Sequence, residues 1–318
     1  MKRVLIFVIQ IKWIMNIEKT QGLIAAPYTP LHEDGTINVD LIPQYLERLH
    51  NNGLKGVFIC GSTGEGTSLM LTERMQIAEA WTNSTPQGFK VFVHVGSNSV
   101  KESALLARHA YDCGAFAIAA TGPSYFKPAS EQVLVNYMAE IAMAAKEIPF
   151  YYYHIPGLNQ NYLSVIRFLE LAIPKISNLA GIKYTHEDEM EFQLCRQIAG
   201  GQLDVLYGRD ETLICGLALG ARGGVGSTYN FMPELYYSII KAFDKGDLEE
   251  ANRLQIISMR VIQVYTKYGG ISAGKAIMRM LGLDCGVPRL PVEQLPSDQE
   301  KALFNDLKDT GFFEYSLK

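Results

Sequence analysis

Eight short apolar runs, each followed by an amphipathic stretch, fill most of the chain up to residue 232, and this alternation limits the possible folds most strongly. Most runs are continuously apolar, which is typical of strands covered on both faces. The runs are Gly22–Thr29, Gly56–Gly61, Lys90–Gly96, Phe116–Thr121, Pro149–Ile155, Gly181–Thr185, Asp204–Tyr207 and Gly223–Ser227. Eight strand-then-helix units in succession predict a TIM (β/α)8 barrel of the α/β class.

An open, doubly wound sheet is the alternative arrangement of such units. Its phosphate-binding fingerprint is missing, because the turn Gly61–Gly66 lacks both the lysine of a P-loop and the G-x-G-x-x-G spacing. The closed barrel is therefore preferred. The predicted barrel helices are Asp40–Asn52, a helix capped by Thr72, Ser99–Cys113, Ser130–Lys146, Tyr162–Pro174, Glu187–Ala199 and Asp210–Leu219.

The two ends of the chain differ from the barrel pattern. Residues 16–232 are assigned to the barrel and residues 233–318 to a C-terminal helical region packed on it, with Pro233 starting its first helix. The predicted helices there are Leu235–Lys245, Leu248–Tyr268, Gly274–Leu281 and Ser297–Thr310. Residues 1–15 are basic and then apolar but too short to span a bilayer, which favours a non-native or disordered extension over an anchor or an added strand.

Charge and cysteine content exclude several classes of function. The net charge is −4 and the pI is about 5.9, so no basic surface predicts binding to nucleic acid, and no membrane partner is predicted. Five scattered cysteines without a C-x-x-C pair predict reduced thiols and a cytoplasmic protein. No histidine and cysteine have ligand spacing, so no metal site is predicted. His94 and His154 lie in apolar runs and are predicted to be hydrogen-bonded structural residues.

Lys183 closes the apolar run that begins at Leu179. Burying an ammonium group is costly, so a lysine at this place tends to lose its proton. A neutral amine is a nucleophile whose natural target is a carbonyl carbon. A strand-end lysine that reaches water is the simpler interpretation of Lys183 considered alone.

Other reactive side chains lie at the carboxyl ends of the predicted strands or directly after them, at the same end of the barrel. In a TIM barrel the carboxyl ends of the strands form the active site, so groups that follow different strands meet there. The residues in these positions are Ser62, Thr63, Tyr125, Tyr153, Lys183, Thr185, Gly208, Asp210, Glu211 and Ser227. Their shared location is difficult to explain by packing, and it favours an enzyme over a purely structural barrel.

Three motifs make the chain similar to a known family. They are G-S-T-G-E at Gly61–Glu65, Y-x-x-P at Tyr153–Pro156 and G-I-K at Gly181–Lys183. In combination they resemble the pyruvate-dependent class I aldolases that include dihydrodipicolinate synthases and N-acetylneuraminate lyases. The resemblance runs from about Gly22 through the helical tail.

The resemblance implies a role for each motif. Lys183 would form a Schiff base with a 2-keto acid, and Tyr153 would move protons to and from the substrate hydroxyl. Ser62 and Tyr125, the latter from a neighbouring subunit, would complete the proton relay. Ser62 and Thr63 would bind the substrate carboxylate. The resemblance also implies a homotetramer that needs no metal and no external cofactor.

The position five residues after Tyr153 separates two branches of the family. Synthases that resemble this chain carry an arginine there, which grips the carboxylate of the second substrate; this chain has Leu158. The resemblance to the lyase branch implies that a sugar chain is bound by Thr185, Gly208, Asp210, Glu211 and Ser227.

The implied activity is reversible cleavage of N-acetylneuraminate, a sialic acid, to N-acetylmannosamine and pyruvate. The alternatives are a dihydrodipicolinate synthase or an aldolase of another sugar 2-keto acid, and a non-catalytic barrel that senses sialic acid or pyruvate. His154 should point out of the barrel, and Tyr268–Ile271 is a further candidate for shaping the pocket.

Overall fold

Eight parallel strands close into a barrel in the computed structural model, which describes residues 18–317. The strands are β1 Gly22–Ala25, β2 Gly56–Ile59, β3 Lys90–His94, β4 Ala117–Ala120, β5 Phe150–His154, β6 Leu179–Tyr184, β7 Asp204–Tyr207 and β8 Gly223–Gly226. Each strand pairs with the next one in sequence, and β8 pairs with β1. The predicted TIM barrel is therefore confirmed, although several strands end earlier than the apolar runs because the final residues enter the loops.

Helices surround the barrel and continue beyond it. They are α1 Ile42–Asn51, α2 Leu71–Ser84, α3 Val100–Asp112, α4 Glu131–Met143, α5 Pro156–Asn159, α6 Val165–Ala172, α7 Glu189–Gln197, α8 Leu213–Ala218, α9 Pro233–Asp244, α10 Leu248–Lys267, α11 Ile271–Met280, α12 Ser297–Lys308 and α13 Phe312–Tyr315. The predicted cap at Thr72 is wrong. Helix α2 begins at Leu71, and the Glu73 carboxylate accepts a 2.8 Å hydrogen bond from the Met70 backbone N–H instead.

Strand β5 shows how the core is divided into two layers. Tyr151 and Tyr153 point into the barrel, whereas Phe150 and Tyr152 pack between the strands and the outer helices, as expected for alternating side chains. His154 lies on the outer side, with its ring centroid 5.2 Å from that of Tyr184. Its predicted direction is therefore correct.

The two buried histidines differ in their hydrogen bonding. His94 Nδ1 lies 3.1 Å from the Cys60 carbonyl oxygen, and His94 Nε2 accepts a hydrogen bond from the Thr121 backbone N–H. Neither ring nitrogen of His154 has a partner among residues 18–317, so the prediction of a hydrogen-bonded residue is wrong there. Burial lowers the pKa of His154 to about 3, and an uncharged ring is cheaper to leave unpaired than an imidazolium.

The C-terminal helices reach the end of the barrel that carries the predicted site. Gln255 of α10 donates a hydrogen bond to the Asp210 carbonyl oxygen, and its own side-chain oxygen accepts one from the Ile214 backbone N–H. These bonds tie α10 to the turn that follows β7. The helical extension is thus confirmed as part of the surroundings of the site.

Two further findings concern residues 18–317 only. No helix in this range is both long enough and apolar enough to cross a bilayer. No cluster of three or more histidine, cysteine, aspartate or glutamate side chains in the same range could hold a metal ion. The predicted extension at residues 1–15 lies outside the described residues.

Candidate active site

Lys183 lies inside the barrel next to Tyr153, its register partner on the neighbouring strand. Both side chains are buried, with exposures of 4% and 3%. Lys183 Nζ lies 4.2 Å from the centroid of the Tyr153 ring and 4.0 Å from that of Phe58. Loss of solvent in this aromatic surrounding lowers the pKa of Lys183 to about 7, although the charge of Asp210 opposes the change. A large fraction of the amine is therefore neutral, and nucleophilic, near neutral pH.

The Tyr153 side chain, whose ring lies against this amine, carries a phenol that can transfer protons. Burial raises the pKa of Tyr153 to about 12, and the hydroxyls of Ser62 and Thr185 oppose the rise. The phenol is thus protonated before a substrate binds. A positive iminium formed on Lys183 would lower the pKa of Tyr153, because a nearby cation stabilises a phenolate.

A tight turn after β2 places Ser62 and Thr63 in the lining of the cavity that also contains Lys183 and Tyr153. Cys60 and Glu65 adopt left-handed backbone conformations, with φ angles of 55° and 54°. A Cβ atom at Gly66 would lie 1.8 Å from the Cys60 carbonyl oxygen, so only glycine fits there. The shape of the turn therefore requires the glycine that directly follows the G-S-T-G-E motif.

The two acids after β7 have different surroundings. Asp210 is buried, and one of its carboxylate oxygens accepts hydrogen bonds from the Thr228 backbone N–H at 2.9 Å and from the Thr228 hydroxyl at 2.6 Å. Burial raises the pKa of Asp210 to about 6, against the effect of these bonds. Glu211 is half-buried and accepts a 3.0 Å hydrogen bond from Arg209 Nε. Asp210 therefore joins the ends of β7 and β8, whereas Glu211 remains more accessible to a ligand.

One cavity brings together nearly all the site residues predicted from the sequence. It is lined by Ser62, Thr63, Tyr153, Lys183, Thr185, Gly208, Asp210, Glu211 and Ser227. Tyr125 is not among the lining residues: it is 78% exposed, and its ring packs against that of Phe126 on the surface. Within a single chain, the predicted relay therefore lacks this member.

Sequence reasoning missed the contribution of α10. Ile262 and Tyr265 line the cavity, whereas no residue of Tyr268–Ile271 does. The i, i+3 spacing indicates that Ile262 and Tyr265 share a helix face, but which face meets the barrel depends on tertiary packing. The barrel residues that were also missed are Ala26, Ile155, Val225, Gly226 and Thr228.

Comparison with known proteins identifies the family. A family model described as the dihydrodipicolinate synthetase family matches residues 19–310. The chain belongs to this family. The N-acetylneuraminate lyase of Pongo abelii is 38% identical over 304 residues, which cover 94% of this chain and 95% of that protein.

Solved structures agree with this membership of the dihydrodipicolinate synthetase family. The Proteus mirabilis N-acetylneuraminate lyase has a TM-score of 0.90 at 36% identity, covering 93% of this chain and 100% of that one. A catalytic lysine mutant of the Ruminococcus gnavus sialic acid aldolase has a TM-score of 0.87 at 29% identity, covering 95% of this chain and 100% of that one. The resemblance inferred from three motifs is confirmed.

For this family member, the lowered pKa of Lys183 predicts a pH dependence. Only the neutral amine attacks a carbonyl, so the rate of imine formation should rise about tenfold per pH unit below pH 7 and level off above it. The measurement is the rate at which limiting pyruvate and cyanoborohydride label Lys183 between about pH 5 and about pH 9.

Asp210→Asn is the matched variant for this pH profile. Because the charge of Asp210 raises the pKa of Lys183, its removal should move the midpoint to lower pH. A wild-type rate that still rises tenfold per pH unit up to about pH 9, as an ordinary lysine pKa of 10.5 would give, would contradict the argument from burial.

Proposed function

We propose that this chain is a Schiff-base aldolase that reversibly cleaves N-acetylneuraminate to N-acetylmannosamine and pyruvate. The observation that carries the proposal is the buried Lys183 amine beside the Tyr153 ring, in a cavity that is also lined by Asp210, Glu211 and Ser227. The N-acetylneuraminate lyases among the relatives support the same substrate.

The reaction begins with imine formation. The neutral Lys183 amine attacks the C2 ketone of the open-chain sugar acid, and the Tyr153 phenol donates the proton with which the C2 oxygen leaves as water. A protonated imine on Lys183 and a Tyr153 phenolate remain. The cavity assists because its aromatic wall has already removed solvent from the amine. The iminium withdraws electrons from the neighbouring carbons, so the proposed reaction requires neither a metal nor an external cofactor.

Bond cleavage follows when the C4 hydroxyl loses its proton. The C3–C4 electron pair moves toward the iminium nitrogen, which leaves an enamine on Lys183 and releases the sugar as an aldehyde. The Tyr153 phenolate accepts the C4 proton and then donates it to C3 of the enamine. Water then hydrolyses the imine, so pyruvate leaves and the Lys183 amine is restored.

Two groups of residues hold the ends of the substrate. Ser62 and Thr63, on the glycine-containing turn, bind the carboxylate through hydroxyl and backbone N–H groups. Thr185, Gly208, Asp210, Glu211 and Ser227 bind the hydroxyls of the sugar chain. Leu158 is 66% exposed and is not among the cavity residues, so it provides no clamp for a second carboxylate.

A substrate panel tests the proposal. Pyruvate release should be fastest with sialic acids, and borohydride with pyruvate should leave a stable adduct on Lys183. Preference for a carboxylated aldehyde in the reverse reaction would favour a synthase instead. Binding of sialic acid without turnover would indicate a sensor.

Tyr125 completes the proposed proton relay from a neighbouring subunit of a homotetramer. Its exposed position beside Phe126 leaves the ring free to enter another copy. All five cysteines are free thiols, which supports the cytoplasmic location that we also propose.

Tyr125→Phe is expected to reduce kcat about 10- to 100-fold with little change in KM, because a relay hydroxyl acts on proton transfer. Steady-state kinetics with N-acetylneuraminate provide the measurement, and size-exclusion chromatography checks assembly. Tyr162→Phe makes the same chemical change at another exposed tyrosine and should leave kcat unchanged. Unchanged kcat in Tyr125→Phe would remove Tyr125 from the relay.

A further inference from the structure

We propose that Tyr265 is a specificity-determining residue that donates a hydrogen bond to the sugar chain of the substrate, and that Tyr28 holds it in position. This inference rests on the proposed function. It assigns a substrate contact to the C-terminal helical region, which none of the motif residues occupies.

Tyr265 reaches the cavity from α10. It lines the cavity together with Ile262, one helical turn earlier, and the remaining lining residues lie at the carboxyl ends of the strands or in the turns that follow them. Ser227 lies beside Tyr265, and Glu211 lines the same cavity. Tyr265 therefore faces the part of the cavity proposed to hold the sugar hydroxyls.

The Tyr265 hydroxyl is held in position by the phenol of Tyr28. The Tyr28 hydroxyl donates a 3.3 Å hydrogen bond to the Tyr265 oxygen. Tyr28 is fully buried, and a Cβ atom at residue 274 would lie 2.0 Å from the Tyr28 oxygen, so Gly274 provides the space for this ring. The closeness of this packing limits how far the Tyr28 hydroxyl can move.

The donor and acceptor roles then follow from the chemistry of a phenol, which has one proton and two lone pairs. Burial raises the pKa of both Tyr28 and Tyr265, so both keep their protons at neutral pH. Because the Tyr265 oxygen accepts from Tyr28, its own proton remains available to an acceptor. A sugar hydroxyl or acyl oxygen in the cavity is such an acceptor. A sugar hydroxyl that accepts from Tyr265 can also donate to Glu211, which lines the same cavity.

The contact should distinguish long sugar chains from short ones. Pyruvate is too short to need Tyr265, whereas a polyol aldehyde extends toward it. Removing the phenol oxygen removes one hydrogen bond, which corresponds to a change of about 2- to 15-fold in affinity.

The test compares Tyr265→Phe with wild type. The KM for N-acetylneuraminate should rise about 2- to 15-fold with kcat nearly unchanged, while labelling of Lys183 by pyruvate and borohydride stays the same. In the synthetic direction, the preference for N-acetylmannosamine over glyceraldehyde should fall by the same factor. Tyr28→Phe alone should produce a smaller rise in KM and a smaller loss of aldehyde preference. The double variant Tyr28→Phe/Tyr265→Phe should show the same KM and preference as Tyr265→Phe.

Tyr268→Phe is the matched control. Tyr268 immediately follows α10, but its hydroxyl donates to Asp306 at 2.9 Å rather than lining the cavity, so its loss should leave KM unchanged. Unchanged KM and aldehyde preference in Tyr265→Phe would overturn the inference. Failure of wild type to label with pyruvate or to cleave sialic acids would instead overturn the proposed function.

Discussion

Lys183→Met should abolish turnover, with kcat at least about 1,000-fold below wild type, and should leave the barrel folded. Methionine fills a similar volume without a charge, and the site is already lined by Phe58 and Tyr153, so the exchange removes the nucleophile without creating a cavity. The measurements are pyruvate release, adduct formation with borohydride, and circular dichroism. Lys101→Met, at a lysine whose side chain is 83% exposed, should keep full activity.

The same variant tests the burial argument through stability. The pKa of Lys183 is lowered from 10.5 in the folded chain, so the unfolded chain binds the extra proton between about pH 7 and pH 10.5. Lys183 should therefore make the free energy of unfolding rise with pH in this window, by up to about 1.4 kcal/mol per pH unit. Below about pH 7 the buried ammonium should destabilise the folded chain by its full amount. Lys183→Met should lack this slope in urea unfolding. Residual turnover or an unchanged slope would contradict the role given to the buried amine.

Lys275→Met should destabilise the protein by about 3–5 kcal/mol, because it leaves a buried carboxylate unpaired. Lys275 Nζ lies 2.9 Å from Glu65, and both side chains are 1% exposed. The ammonium also donates to the Val287 carbonyl oxygen at 2.8 Å, and the Arg289 backbone N–H donates to Glu65. The pair thus joins the C-terminal region to the turn that carries Ser62. Urea unfolding measures the loss.

Two variants distinguish the effect of breaking the Glu65–Lys275 ion pair from the effect of removing any lysine. Glu65→Gln added to Lys275→Met should recover part of the stability, because no buried charge then remains. Lys267→Met breaks an ion pair with Asp306 of similar length, 2.8 Å, but the lysine is 63% exposed, so the change should be under about 1 kcal/mol. A loss in Lys275→Met no larger than that in Lys267→Met would contradict the prediction.

The candidate site could be predicted largely because parallel strands end at one edge of the barrel. Lys183 and Tyr153 lie near the carboxyl ends of β6 and β5, Ser62 follows β2, and closure of the sheet brings them to one cavity. The predicted helices Ser99–Cys113 and Ser130–Lys146 also begin at the N-caps of α3 and α4, where the serine side chains accept hydrogen bonds from backbone N–H groups. The cap at Thr72 was misplaced by two residues because Glu73 satisfies the backbone N–H of Met70.

The features that could not be predicted depend on partners distant in sequence. The approach of Tyr265 to the cavity depends on how α10 packs, and its hydrogen bond joins it to Tyr28 near the other end of the chain. The two hydrogen bonds from Thr228 to Asp210 likewise depend on the closeness of β7 and β8. No local pattern in the sequence predicts the contact of Tyr265 with Tyr28 or that of Thr228 with Asp210.

The sequence by itself determined the closed barrel and the strand end at which each reactive group lies, because periodicity and strand order are local properties of the chain. Only the tertiary structure decided that the Lys183 amine is shielded from solvent to the extent that its pKa falls to about 7. Desolvation is set by every atom that surrounds a group, and the rings of Phe58 and Tyr153 come from other strands. For the same reason, the pairing of Glu65 with Lys275 and the reach of Tyr265 become visible only in the folded molecule.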